Sequence, residues 1–331
     1  MSIADEFNSK VKKEIVRDKI TNVAPLIVLI LLYLIFTFTC WGSFATVSNT
    51  VALLNQLATP LLVATGLTFV IMLGSIDLSI DGVVGMSASI FSVLVLNTTT
   101  AYDLSGWAVL IAVACCVVCG LMVGSIHVAL KIPSFMVSLG VMYIAKGVGI
   151  LAYSGKPATI TDPFFLSIPT AKFLGLPIIT WISLILFGVA FLIQNYTAFG
   201  RNIYAIGANE GVARAAGINI NWQKIKVFLF AGLCFGIAGV VGAVRLAQGQ
   251  INIGDGMTFP ACAAVVVGGT SLSGGKGGVV NSLVGAAIMT VLENGLVMWG
   301  VNAYIKDGVE GLIILVAVAL SVSRSRRIVC K

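Results

Sequence analysis

The residues of this chain with chemistry to offer are ionisable side chains set in or beside apolar runs. Lys146, Glu293 and Asp77 stand in such runs or at a break between two of them, where an unmatched charge is costly and demands a partner or a wet cavity. A Lys146–Glu293 pair would neutralise both groups; alternatively each snorkels to water or faces a polar cavity. No ladder of acids crosses the apolar segments, so a proton relay lacks material. His127, the single histidine, falls near the end of a run, which leaves no Ser/His/Asp or Cys/His set for nucleophilic catalysis. The expectation is a non-catalytic chain that binds no cofactor or metal itself.

Two further motifs resolve to bland readings. Cys116 and Cys119 form one CxxC, but they lie within an apolar run with no histidine nearby, so packing is favoured over metal or redox chemistry. The run ending at Lys276 resembles a phosphate-binding loop only superficially: Thr270 stands where that loop needs its first glycine and Gly277 where it needs Ser or Thr. Gly268 to Gly278 is read as a flexible break between helices, with Lys276 at the water boundary.

The elements that would position these groups are membrane spans. Hydrophobic residues make up 58% of the chain and charged residues 10%, so this is a polytopic membrane protein. The net charge of +7 would point to nucleic acid in a soluble protein. Here the bases cluster at segment ends instead, as topology signals do, and nucleic-acid binding is excluded. Apolar runs near the ~20 residues needed to cross a bilayer fall at 23–41, 51–74, 82–96, 106–130, 134–153, 176–195, 224–247, 259–272, 278–299 and 305–322. The expected fold is an all-α integral membrane protein with about ten transmembrane helices, some broken or short. Lys and Arg are distributed so that both termini face the cytoplasm (N-in/C-in). The organisation is a cytoplasmic lead-in at 1–22, a transmembrane domain at 23–322 and a basic cytoplasmic tail at 323–331.

Between two long spans lies a polar island, Phe199 to Gln223, within a cytoplasmic loop at 196–223. A segment so rich in Gly, Ala, Asn and Arg cannot sit in hydrocarbon, so it is read as a loop outside the bilayer. Within it a short helix is expected, capped at Asn209 and stopped at Gly217. Glycines 232, 236, 239 and 242 along the following span allow close helix packing. LSIDGVV from Leu78 and LSGGKGGVV from Leu272 hint at two related halves.

Four words carry a resemblance. FGRNIYAIGANEGVARAAGINI from Phe199, GSIDLSIDG from Gly74, AAVVVGGTSLSGGKG from Ala263 and IPSFMVSLGVMYIAKG from Ile132 are similar to those of the ribose-type, simple-sugar permeases of ABC importers. The chain departs from that pattern at Ser75, Asp81, Lys146 and Ala208, which bears on solute identity rather than on the island. The resemblance implies a permease subunit of the bacterial cytoplasmic (inner) membrane. Its partners would be an ABC ATPase subunit that binds the ATP, an extracellular or periplasmic substrate-binding protein, a second permease subunit and membrane lipid. Asn209, Glu210, Ala213, Arg214, Ala215, Ala216 and Gly217 would form the lever seated on the ATPase, with small residues allowing close approach. Candidates for the solute pathway are Asn55, Gln56, Asp77 and Asn294, with Asn281 a further polar residue to consider. The rival reading, from the buried charges, is a self-sufficient secondary transporter or channel.

Overall fold

The computed structural model describes residues 23–302, 304–306, 308–309, 311–313 and 315–316. The expected lead-in at 1–22 and tail at 323–331 lie outside these residues, as does the end of the last expected span. The order is α1 (Val23–Thr39), α2 (Val47–Met72), α3 (Ile80–Leu94), α4 (Gly106–Leu130), α5 (Ser134–Tyr153), β1 (Ala158–Thr159), α6 (Pro163–Ser167), β2 (Lys172–Phe173) and β3 (Leu176–Pro177). It continues with α7 (Ile178–Tyr196), α8 (Ala198–Ala208), α9 (Glu210–Ala215), α10 (Ile220–Leu246), β4 (Gln248–Gly249), a 3₁₀ turn Ile251–Ile253, α11 (Thr258–Val267) and α12 (Val279–Met298). Helical residues resume between 304 and 316.

Six of these helices, α2, α4, α5, α7, α10 and α12, are long and apolar enough to cross a membrane. Helices α1 and α3, and the stretch Ile251–Val267 that contains α11, are shorter apolar pieces. At about 1.5 Å rise per residue, a ten-residue helix reaches only half of a ~30 Å hydrocarbon core. Helix α11 is thus a half-span, and something other than an unbroken ladder must satisfy its first amides. Asp81, near the start of α3, does so: its Oδ1 accepts from Thr258 N at 2.8 Å and from Thr258 Oγ1 at 2.5 Å, and its Oδ2 accepts from Gly256 N at 3.2 Å.

Helices α2 and α10 form the centre, burying Leu62, Leu67, Phe69, Ile71, Phe228 and Phe235 almost completely. Glycine brings their neighbours in. An added Cβ at Gly236 would stand 3.0 Å from Val113 Cα of α4, one at Gly124 would stand 2.9 Å from Ile225 Cα of α10, and one at Gly232 would reach Cys116 O at 2.5 Å. That is close packing driven by shape, as expected where hydrophobicity does not distinguish helix from lipid. Cys116, Cys119 and Cys234 are buried free thiols in this packing.

The polar island is more helical than expected. It is helical over Ala198–Ala208, over Glu210–Ala215 and again from Ile220. Side-chain caps explain why: Thr197 Oγ1 accepts from Gly200 N, Asn209 Oδ1 from Val212 N and Asn219 Oδ1 from Trp222 N. Each cap takes a first-turn amide, so a polar segment sustains three helix starts in 23 residues. At the other end of α10, β4 pairs with β1, Ala158 opposite Gly249, tying the α5–α6 connection to the end of that helix. The body therefore has two distinct ends, one bearing α8 and α9 and the other bearing the short β pairings.

Candidate functional site

Helices α8 and α9 form a knuckle whose two faces differ. Ile203 and Ile206 of α8 and Ala213 of α9 turn inward, Ala213 to 2% exposure, while Val212 remains 65% exposed. Asn209, Glu210, Arg214, Ala215, Ala216 and Gly217 are also exposed. Ala213, expected among the lever residues, packs α9 against its own chain, and Val212 is the large apolar side chain that α9 leaves on its outer face. The expected cap and stop are both present: Asn209 Oδ1 accepts from Val212 N at 3.1 Å, and Gly217 adopts φ +83° where the helix ends.

Glu210 locks the knuckle to α10, accepting from Lys224 Nζ at 3.0 Å and from Arg214 at 3.3 Å. The Lys224 hydrogen bond and the two nearby cations hold the Glu210 carboxyl below its ordinary range. A carboxyl depressed in the folded state stabilises above its unfolded value, about 4.3, and that contribution is lost as pH falls through the lower folded value. Protection of the α9 amides against hydrogen exchange, corrected for intrinsic rates, is expected to be flat from pH 5 to 8 and to fall below about pH 4. Glu210→Gln should abolish that dependence. The pair is half-exposed, so the effect will be modest and reduced by salt.

Behind the knuckle, three sequence words that are far apart converge. Gly275 N donates to Met72 O at 2.8 Å, joining the Gly-rich break after α11 to the end of α2. Gly207 of α8 lies against both: an added Cβ there would clash with Met72 O and stand 2.5 Å from Gly275 N. A buried amide completes the joint. Gln194 Oε1, at the end of α7, accepts from Val279 N at 2.7 Å; its Nε2 donates to Tyr204 Oη at 2.8 Å, which in turn donates to Gly277 O at 2.6 Å. The fourth word joins through α5, where Ser134 and Ser138 accept from Ile76 N and Leu78 N at 3.0 and 2.9 Å. The break at 268–278 is accordingly stitched in place by backbone and side-chain bonds, not loose as its glycines implied. Lys276 is exposed, as expected.

Away from the knuckle lies a cavity of about 1090 Å³, walled by α2, α11, α12 and the helical residues after 304. Gln56, Thr59, Pro60, Arg245, Asp255, Thr290, Glu293 and Lys306 line it. Of the expected pathway residues, Gln56 alone is in its wall. Asn294 instead receives Asn49 Nδ2 at 3.3 Å, Asp77 is buried and accepts from Ser79 N and Oγ, and the Asn55 side-chain oxygen is buried without a partner. Asn281 packs beside Gly268 and Gly269. The Lys146–Glu293 pair does not form: Lys146 donates to Asp255 at 2.6 Å and Lys306 to Glu293 at 2.8 Å. Each lysine takes the carboxylate that folding puts within reach. Thr59 and Thr290, 2% and 3% exposed, present buried hydroxyls with no hydrogen-bond partner at this wall. Such orphans cost free energy.

A family model described as branched-chain amino acid transport system / permease component matches residues 49–318. The probable ABC transporter permease protein YphD of Escherichia coli is 32% identical over 321 residues, covering 95% of this chain and 93% of the relative. The ribose import permease protein RbsC of Haemophilus influenzae is 36% identical over 285 residues, 83% of this chain and 85% of the relative. The L-arabinose transport system permease protein AraH of Escherichia coli is 34% identical over 280 residues, with 83% of each chain covered. No solved structure matches the chain significantly.

Proposed function

We propose a function on one premise: the chain belongs to the permease family described as branched-chain amino acid transport system / permease component. It is a permease subunit of an ABC importer, a multi-pass protein of the bacterial cytoplasmic membrane. The solute we assign to it is a sugar or sugar-like polyol, following the ribose and arabinose permeases it is similar to. Two permease subunits, identical or sister, would pair around a pathway that includes the cavity beside Gln56. A separate ATPase binds the nucleotide and docks on α9, and an extracellular or periplasmic binding protein delivers the solute at the opposite end. In this reading the chain makes about ten passes, several of them short or broken, with both termini cytoplasmic.

The observation that carries the reading is the knuckle's backing. The segment Asn209 to Gly217 packs on α8 and α10, and α8 in turn reaches, through Gly207 and Tyr204, the joint where the end of α2, the break after α11 and the start of α12 meet, so a push on α9 is passed on by α8. Packed elements with discrete arrangements transmit such a push better than a loop would. A self-sufficient transporter would have no use for a solvent-facing lever, and family membership removes the ground for that rival.

Reconstitution tests this. In liposomes the purified chain alone is expected to carry no solute, with or without an ion gradient. Adding the ATPase and the binding protein should give uptake that stops when ATP is withheld. Deleting residues 212–218 should reduce ATPase binding and uptake to background while the protein still inserts. Gradient-driven flux through the chain alone, or full uptake after the deletion, would sink the proposal.

A further inference from the structure

The cavity carries a guanidinium that feels Glu293 at a distance but, among the described residues, meets no acid directly. Arg245 stands in the last turn of α10 and is exposed to the cavity. Among the described residues its guanidinium has neither an ion-pair partner nor a hydrogen bond. The two acids in the same wall are already engaged, Asp255 by Lys146 at 2.6 Å and Glu293 by Lys306 at 2.8 Å. Asp81 on α3 is occupied by the α11 start, with three hydrogen bonds. A guanidinium is always charged, offers five donors in a planar fork, and fits a carboxylate or similar oxyanion in bidentate fashion. Gln56, Thr59 and Thr290 line the same cavity. A neutral polyol's hydroxyl oxygens accept single hydrogen bonds from the guanidinium, whereas an oxyanion makes a charge-assisted, bidentate contact that is roughly twice as strong.

We propose that the solute of this subunit is a hydroxylated acid, a sugar acid or its like, and that Arg245 is the residue that selects for its anionic group. This rests on the sugar-importer reading above and narrows it. The position suits selection at entry: Arg245 lies 25 residues along α10 from Ile220, roughly 37 Å from the knuckle end of that helix. A charge sited there meets the solute before the knuckle's end of the pathway does. The wall would discriminate by the added strength of a charge-assisted bidentate contact over the single hydrogen bonds that a neutral hydroxyl accepts.

The test uses the full chain in nanodiscs and two probes of one stereochemistry, sodium galacturonate and galactose, at matched ionic strength. Binding is read by thermal shift and by quenching of a dye placed at the cavity mouth. Galacturonate is expected to bind about tenfold more tightly than galactose, the value of one charge-assisted contact. Arg245→Gln should bring the ratio to about one, and Arg245→Lys, which keeps the charge, should restore part of it. Nucleotide-dependent capture of the ATPase subunit is measured on the same samples and should be unchanged in both variants, which also shows that they are folded. Equal responses to the two sugars, no response to either, or a preference that survives Arg245→Gln would each overturn the proposal. If the ATPase fails to bind even the unmodified chain, the importer reading fails with it; if the ATPase binds and the ratio is one, only the choice of an acidic solute falls.

Discussion

Gly207→Ala is expected to disable the protein, and Gly207→Leu to prevent its accumulation in the membrane. A single methyl group at this position meets main-chain atoms on two sides: Met72 O, and Gly275 with N at 2.5 Å and Cα at 3.1 Å. Neither neighbour is a side chain that could swing away. Gly275 itself holds φ +70° and donates to Met72 O, so the two groups that the methyl would meet are tied to each other and cannot part without losing that bond. Overpacking of this kind costs on the order of 3 kcal/mol or more. The loss falls on the joint behind the knuckle, so ATPase stimulation should drop further than thermal stability does. Gly140→Ala serves as the control: nothing stands within 4 Å of the added Cβ on α5, and the substitution should be silent or slightly stabilising. Detergent melting curves and ATPase stimulation by the three variants check the ordering. A functional Gly207→Leu protein would mean that the convergence of α2, α8 and the break is not essential.

The second large effect is expected at Gln194, which is 5% exposed. Replacing it by methionine keeps the volume but leaves Val279 N, the first amide of α12, without an acceptor, and Tyr204 Oη without a donor. An unsatisfied buried group costs roughly 1–3 kcal/mol, so two together should lower stability by about 2–4 kcal/mol. Tyr204→Phe loses two bonds as well, to Gly277 O and Gln194, but at a partly exposed site where water can replace them, so it should cost less, about 1 kcal/mol. The two changes share a hydrogen bond, so the double variant should cost less than the sum. Strict additivity in melting experiments would show that the network does not act as a unit. Transport per ATP hydrolysed should fall in both single variants, since Tyr204 ties α8 to the start of α12.

Both residues illustrate how the two sources of information divide. Local chemistry was legible in the chain. The extent of the spans Gly106–Leu130 and Ser134–Tyr153 followed from where apolar runs stop, and both coincide with helices of the structure. Asn209 as cap and Gly217 as stop followed from side-chain hydrogen bonding and from the left-handed backbone that glycine accepts. The resemblance to sugar importer permeases rested on four such words and agrees with the family to which the chain belongs. Helix α8 was not expected, because its polarity reads as loop, although Thr197 stands at its start as a cap.

What no reading along the chain supplied is which residues meet. Lys146 finds Asp255 across 109 positions, Gln194 finds Val279 across 85, and Tyr204 finds Gly277 across 73. Periodicity and capping act within a turn or two of helix, so they set where a helix starts, where it stops and which side is oily. Which charge matches which, which glycine lets two backbones touch, and whether Ala213 points in or out depend on how whole helices dock. That docking is a sum of many weak contacts spread over the bundle, and no single stretch of sequence contains it.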